Sequence, residues 1–139
     1  TMAQEFKRLR AKSGKKFFYF GGVAFKYQNP LGGQVRLMAE TVKASEFVDV
    51  VTTSGSETGV PPSSQKIIEM SAYLSHSTPK PIGIASGVDS NNIESFLPYV
   101  DYFLVATSIN KSFTELDPYK VTLLARTIDK WVLKQQALG

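Results

Sequence analysis

The sequence predicts one α/β domain in which short parallel strands alternate with helices. Four short apolar segments begin near residues 17, 48, 81 and 102, and a helical pattern follows each of them. Strands that are apolar throughout are typical of a parallel sheet covered on both faces. The 139 residues, 42% of them apolar, suffice for one core, and no linker divides the chain. The pattern alone does not decide between an open sheet and part of a barrel.

The strands are predicted where β-branched, aromatic and other apolar residues run together and then meet glycine, serine or a charged residue. The helices are predicted where apolar side chains recur at intervals of three and four. The predicted strands are 17–25, 48–52, 81–85 and 102–106.

The first predicted helix covers residues 3–13 and ends at Gly14, and a short helix runs from about Ser90 to Leu97, with Asn91 and Glu94 as a capping pair. The last begins after Asp117 with proline in its first position. The apolar faces expected for the other helices are Val35, Met38, Ala39 and Val42; Ile67, Ile68, Met70 and Leu74; and Val121, Leu124, Ala125, Ile128 and Val132.

Composition excludes several classes of protein. The chain has no cysteine and one histidine, His76, so a thiolate metal site, a catalytic thiol and a histidine cluster are excluded, and we predict no metal ligands and no cofactor. Residues 1–16 hold six cations and one acid, whereas the rest holds ten cations and eleven acids, so the net charge of +4 belongs to one helix and does not indicate nucleic-acid binding. No apolar run is long enough to span a membrane, and we expect a cytoplasmic protein.

The carboxyl ends of the predicted strands carry the candidate binding residues, because ligands of parallel α/β folds bind at that rim. Glycine lets main-chain amides approach an anion, and hydroxyls donate further hydrogen bonds. These residues are also ordinary turn formers, but three such segments in successive units favour a binding site. We predict phosphate binding by Ser86, Gly87, Thr107 and Ser108, and substrate binding by Thr53, Ser54, Gly55 and Asp89.

Lys26 is the one cation at a predicted strand end and the candidate catalytic residue. It could neutralise substrate charge or transfer a proton, or it could be a solvated lysine of no chemical role. Asp49 and Asp101 fall at the opposite rim, where residues serve stability.

Four segments carry a resemblance to a known family: SGSETGVPPS at 54–63, PIGIASGVDSNNI at 81–93, YFLVATSI at 102–109 and LDPYKV at 116–121. Together they resemble the carboxyl-terminal half of the BtpA family, which implies a phosphate-binding type of TIM barrel. Members are about twice as long as this chain. The resemblance therefore implies that residues 1–139 are one half-barrel domain, strands 5–8 with their helices, from a longer protein.

Two functions remain open on this evidence. The chain could bind a phosphorylated small molecule, a sugar phosphate or a nucleotide, as part of a phosphoribosyl- or nucleotide-metabolising enzyme. It could instead be a non-catalytic assembly factor or scaffold with a vestigial anion site, since the family is named for its link to photosystem I biogenesis. In either case half a barrel has two open strand edges, so we expect a homo-oligomer.

Overall fold

The computed structural model describes residues 1–14, 17–25 and 33–139. Its main sheet has four parallel strands in the order β1-β2-β3-β4, so each strand pairs with the next along the chain. This is an α/β fold with the topology of half a (β/α)₈ barrel, as the sequence predicts. The strands are β1 (Phe20–Gly22), β2 (Val50–Thr53), β3 (Ile82–Ile84) and β4 (Tyr102–Phe103), and the helices are α1 (Met2–Ser13), α2 (Gly33–Ser45), α3 (Ser64–Ser75) and α4 (Pro118–Leu138).

Three smaller elements follow the later strands. Two 3₁₀ helices follow β3 and β4, Ile93–Ser95 and Thr107–Ile109. The first is shorter than the helix predicted from about Ser90 to Leu97. An antiparallel hairpin of β5 (Asn110–Ser112) and β6 (Glu115–Leu116) then leads into α4. The hairpin is not predicted by the sequence pattern, because its strands are short and largely polar.

The main sheet is curved. The rings of Phe20 on β1 and Tyr102 on β4 lie 5.4 Å apart between centroids. In a flat sheet, side chains three strand spacings apart would be separated by roughly 14 Å. The two rings therefore meet across one face of the sheet, the concave one, which is consistent with the curvature of half a barrel. Val50 is in register with Phe20 on that face and has no exposed surface. This apolar face is therefore less exposed at Val50 than expected for the open inner face of half a barrel.

The core lies on the convex face, between the sheet and the helices. Buried side chains of β2 and β3 meet the apolar side of α3 and the segment that contains the first 3₁₀ helix. The largest contributions come from Val51, Ile82, Ile84, Ile67, Met70, Leu74, Ile93 and Phe96.

Helix α2 buries a different face from the one the sequence predicts. Val35 is 73% exposed and Met38 is also exposed, whereas Leu37, Thr41 and Ser45 are buried. The small residues Thr41 and Ser45 let this helix approach the sheet and α3 closely. The close packing of this face stabilises the fold more than burial of the more hydrophobic opposite face would. The expected face of α4 is also largely exposed, with Leu124 its buried residue.

The termini of the helices mostly follow the sequence signals. Gly14 ends α1 in the left-handed conformation with φ of 62°, and the Asp117 carboxylate accepts hydrogen bonds from the amides of Tyr119 and Lys120 at the start of α4. The two aspartates at the amino-terminal rim stabilise the sheet, as expected. Asp49 accepts hydrogen bonds from Arg10 and from the Tyr19 amide, and Asp101 accepts one from the Ile82 amide.

Candidate functional site

The loops that follow β3 and β4 form the walls of one cavity at the carboxyl rim of the sheet. Its volume is about 320 Å³, and the segment Thr58–Gly59 completes it. The cavity is lined by Ala85, Ser86, Gly87, Val88 and Asp89 from one loop and by Leu104, Val105, Ala106, Thr107 and Ser108 from the other. All four residues predicted to bind phosphate, and Asp89, are thus brought together.

Main-chain amides are the donors this cavity offers. In the part of the chain that the structure describes, the amides of Gly87, Val88, Thr107 and Ser108 donate no hydrogen bond to protein. Unpaired amides on two facing loops can together surround an anion. Lysine and arginine are absent from the described lining, so an anion here would be held by peptide dipoles rather than by a cation.

The hydroxyls in the cavity have different tasks. Ser86 donates to the carbonyl of Val60 at 2.9 Å, and Ser108 donates to the carbonyl of Val88 at 2.6 Å. Both protons are therefore used to hold the loops in place, although each oxygen can still accept. Thr107 is exposed, and its hydroxyl has no protein partner among the described residues. Of the three, Thr107 is the side chain free to donate to a ligand.

Gly87 is required by the packing of the loops. Its φ is 65°, and a Cβ atom there would lie 2.2 Å from the nitrogen of Pro61. Gly55 makes a similar approach, since its Cβ would lie 2.0 Å from the carbonyl oxygen of Val60. The segment containing Val60 and Pro61 thus packs against both glycines and joins the loops after β2 and β3.

Asp89 organises the turn after β3. Its carboxylate accepts hydrogen bonds from the amides of Asn91 and Asn92. The Asn92 side chain accepts a hydrogen bond from the Asp89 amide and donates one to the Gly87 carbonyl. The predicted capping pair of Asn91 and Glu94 is wrong, because Asp89 is the residue that caps this turn. The Asp89 carboxylate is already hydrogen-bonded to two amides. Asp89 is the one charged side chain among the described lining residues.

The predicted substrate residues after β2 lie deeper than expected. Thr53 and Ser54 have no exposed surface, and their hydroxyls donate to the carbonyls of Val23 and Gly55. None of Thr53, Ser54 and Gly55 lines the 320 Å³ cavity. Ser54 and Gly55 instead line a second cavity, of about 780 Å³, near the amino-terminal ends of α2 and α3.

Lys66 lies in this second cavity and is not among the site residues predicted from the sequence. Its Nζ donates to the carbonyls of Ala24 at 2.8 Å and Ser54 at 3.0 Å, at the ends of β1 and β2. Burial lowers the pKa of this lysine. A signal was present: the first turn of a helix that follows a strand lies at the carboxyl rim, and Lys66 is in the first turn of α3. Lys26 lies outside the described residues, so its role stays a prediction.

Comparison with known proteins identifies the family. The profile of the BtpA family matches residues 1–130. The chain belongs to the BtpA family. The family is of the TIM-barrel type, and the four-stranded parallel sheet of this BtpA-family chain is consistent with half of such a barrel. No curated protein and no solved structure gives a significant match to the chain.

Two further findings concern the described residues of this BtpA-family chain. None of their helices is both long and apolar enough to cross a membrane. No three of their histidine, aspartate or glutamate side chains come together as metal ligands would.

Proposed function

We propose that this BtpA-family chain binds a phosphorylated small molecule, a sugar phosphate or a nucleotide, with the phosphate between the loops after β3 and β4. The observation that carries the proposal is that two loops lining one cavity carry main-chain amides that donate to no described residue, among them those of Gly87, Val88, Thr107 and Ser108. Phosphate sites of (β/α)₈ barrels are commonly built from the loops after the last two strands. The hydroxyl of Thr107 supplies a further donor.

The size of the cavity fits a phosphate with part of the molecule that carries it. Ligand sites usually measure about 300–1,000 Å³, and this one, at about 320 Å³, is at the lower end of that range. The remainder of a sugar phosphate or nucleotide would therefore extend beyond it.

The non-catalytic alternative is favoured by the chemistry of the lining. General acid–base catalysis needs a titratable group within hydrogen-bond reach of the substrate. In the described lining that group is Asp89, whose carboxylate already accepts two amide hydrogen bonds. An enzyme of phosphoribosyl or nucleotide metabolism would need another such group, for which Lys26 is the sequence-based candidate. A scaffold with an anion site needs none.

Substitution of Thr107 tests the phosphate site without altering the core. The side chain is exposed, so Thr107→Glu places a negative charge at the cavity and should weaken binding of ribose 5-phosphate by about tenfold or more. Thr107→Gln has nearly the same shape without the charge and should bind within about threefold of the wild type. Equal calorimetric affinities for the Glu and Gln variants would contradict the proposed site. Turnover of a bound sugar phosphate or nucleotide, followed by phosphorus NMR, would decide against the scaffold.

We also propose that the chain forms a homo-oligomer in the cytoplasm. The sheet has an open edge at β1 and at β4, and large apolar side chains are exposed just after β4 and on α4, namely Leu104, Leu123, Val132 and Leu133. Exposed parallel edges and apolar surface favour association. Light scattering at micromolar concentration should give a mass of at least twice 15.3 kDa, and a stable monomer would contradict this proposal.

A further inference from the structure

The second cavity contains the half-buried ammonium group of Lys66, which forms no ion pair with any residue that the structure describes. Lys66 Nζ carries three protons, and protein carbonyls accept two of them, those of Ala24 and Ser54. In the described part of the chain no carboxylate lies within salt-bridge distance of this nitrogen. Among the described residues no third acceptor is present, so one N–H group is available to a ligand.

The surroundings of Lys66 have both polar and apolar character. Hydroxyl groups come from Ser54, Ser56 and Ser63, whereas the apolar lining comes from Ala24, Phe25, Leu37 and the two prolines 61 and 62. The volume of about 780 Å³ is ample for a molecule of ten or more atoms. Such a lining suits an anionic group attached to an apolar body.

We propose that Lys66 binds the carboxylate or phosphate group of a small amphipathic anion whose apolar part occupies the cavity between α2 and α3. An anion at Nζ would accept a hydrogen bond from the third N–H group. It would also supply the negative charge that the partly buried ammonium group lacks. This site is separate from the one between the loops after β3 and β4, since the two described linings share no residue. The proposal therefore does not depend on the phosphate site.

Glu69 is the other charged group in the described lining, one turn further along α3. Its carboxylate accepts hydrogen bonds from the side-chain amides of Gln34 on α2 and Gln65 on α3, at 2.6 and 2.9 Å. These two amides hold Glu69 away from a direct ion pair with Lys66. They also offset the repulsion that the carboxylate would exert on a bound anion.

Two probes of similar size test the charge requirement. Benzoate and phenyl phosphate carry the two anionic groups on a ring, and benzyl alcohol is the neutral control. Binding is measured by calorimetry, and Lys66 is followed through its Cε–H NMR signals during a pH titration. Saturation with the anion that binds should raise the pKa of Lys66, because a nearby negative charge favours the protonated form.

Three variants separate the role of the charge from that of the fold. Lys66→Met should weaken binding of the anion by about tenfold or more, whereas Lys66→Arg should retain it within about fivefold. Lys130→Met, which removes an exposed charge on α4, should bind as the wild type does. In the titration with benzoate, which carries no phosphate, the amide NMR signals of residues 86–89 and 104–108 should not move, which distinguishes this site from the phosphate site.

Several results would overturn the proposal. One is benzyl alcohol binding as tightly as benzoate. Another is no detectable binding of either anion at about 10 mM, the concentration at which even a weak site would be occupied. A third is an affinity of Lys66→Met for the anion equal to that of the wild type. If Lys66→Met fails to fold because it loses two carbonyl contacts, the pKa of Lys66 in the wild type still decides. No rise on saturation with the anion would overturn the proposal.

Discussion

Gly87→Ala should destabilise the protein strongly even with no ligand present. The left-handed φ of 65° costs an alanine about 1–2 kcal/mol. The new Cβ would also lie 2.2 Å from the Pro61 nitrogen and 2.4 Å from the Val60 carbonyl carbon, both main-chain atoms that yield only if the segment moves. Overpacking of this kind costs about 1–3 kcal/mol more. We therefore expect the free energy of unfolding to fall by about 2–5 kcal/mol.

Gly59→Ala is the matched control for this substitution. Its φ is 82°, but a Cβ there would meet nothing within 4 Å, so only the conformational cost of about 1–2 kcal/mol applies. Urea unfolding followed by circular dichroism measures both variants. If the two lose the same stability within about 0.5 kcal/mol, the contact between Gly87 and Pro61 is not what requires glycine there.

Four further substitutions test the packing and the electrostatics by the same urea unfolding. Thr41→Val should stabilise the protein by about 1 kcal/mol, because the buried Thr41 hydroxyl has no hydrogen-bond partner among the described residues; a loss of stability would show that it has one. Ile67→Ala should cost about 2–5 kcal/mol because Ile67 is fully buried, whereas Ile68→Ala should cost less than about 1 kcal/mol; equal costs would contradict the assigned face of α3. Asp49→Asn should cost about 1 kcal/mol at pH 7. Partial burial raises the pKa of Asp49, but the Tyr19 amide and Arg10 outweigh it and the net pKa is lowered. This contribution is therefore present above the ordinary carboxyl pKa and declines as the pH falls through the lowered value; a difference from wild type that does not shrink as the pH is lowered from 7 into the acid range would contradict it.

The order of the elements could be predicted from the sequence because each depends on local patterning. The grouping of loops at each rim of the sheet could be predicted as well, because the loops that follow parallel strands all lie at the same edge. Strand lengths could not, because a strand ends where its neighbour stops pairing rather than where its own apolar run ends. The segment 17–25 is apolar throughout, yet β1 is Phe20–Gly22, and Phe18 is exposed before it.

The candidate site was only partly predictable for a similar reason. Ser86, Gly87, Thr107 and Ser108 could be placed around one cavity from topology alone. The sequence could not show that Ser86 and Ser108 donate to carbonyls of other segments, nor that Gly87 packs against Pro61, because those partners depend on how loops meet. Lys66 was missed because its partners lie 12 and 42 residues away.

The most direct test of the phosphate site is a titration of the wild-type protein with inorganic phosphate, followed by amide proton and nitrogen NMR. The amides of Gly87, Val88, Thr107 and Ser108 should move together along one saturating curve, with the largest shifts in the chain, because a hydrogen bond to phosphate acts directly on the N–H group. The Thr107→Glu variant should show the same amides moving at about tenfold higher phosphate. Shifts confined to other residues, or no saturable change at these four amides, would contradict the account.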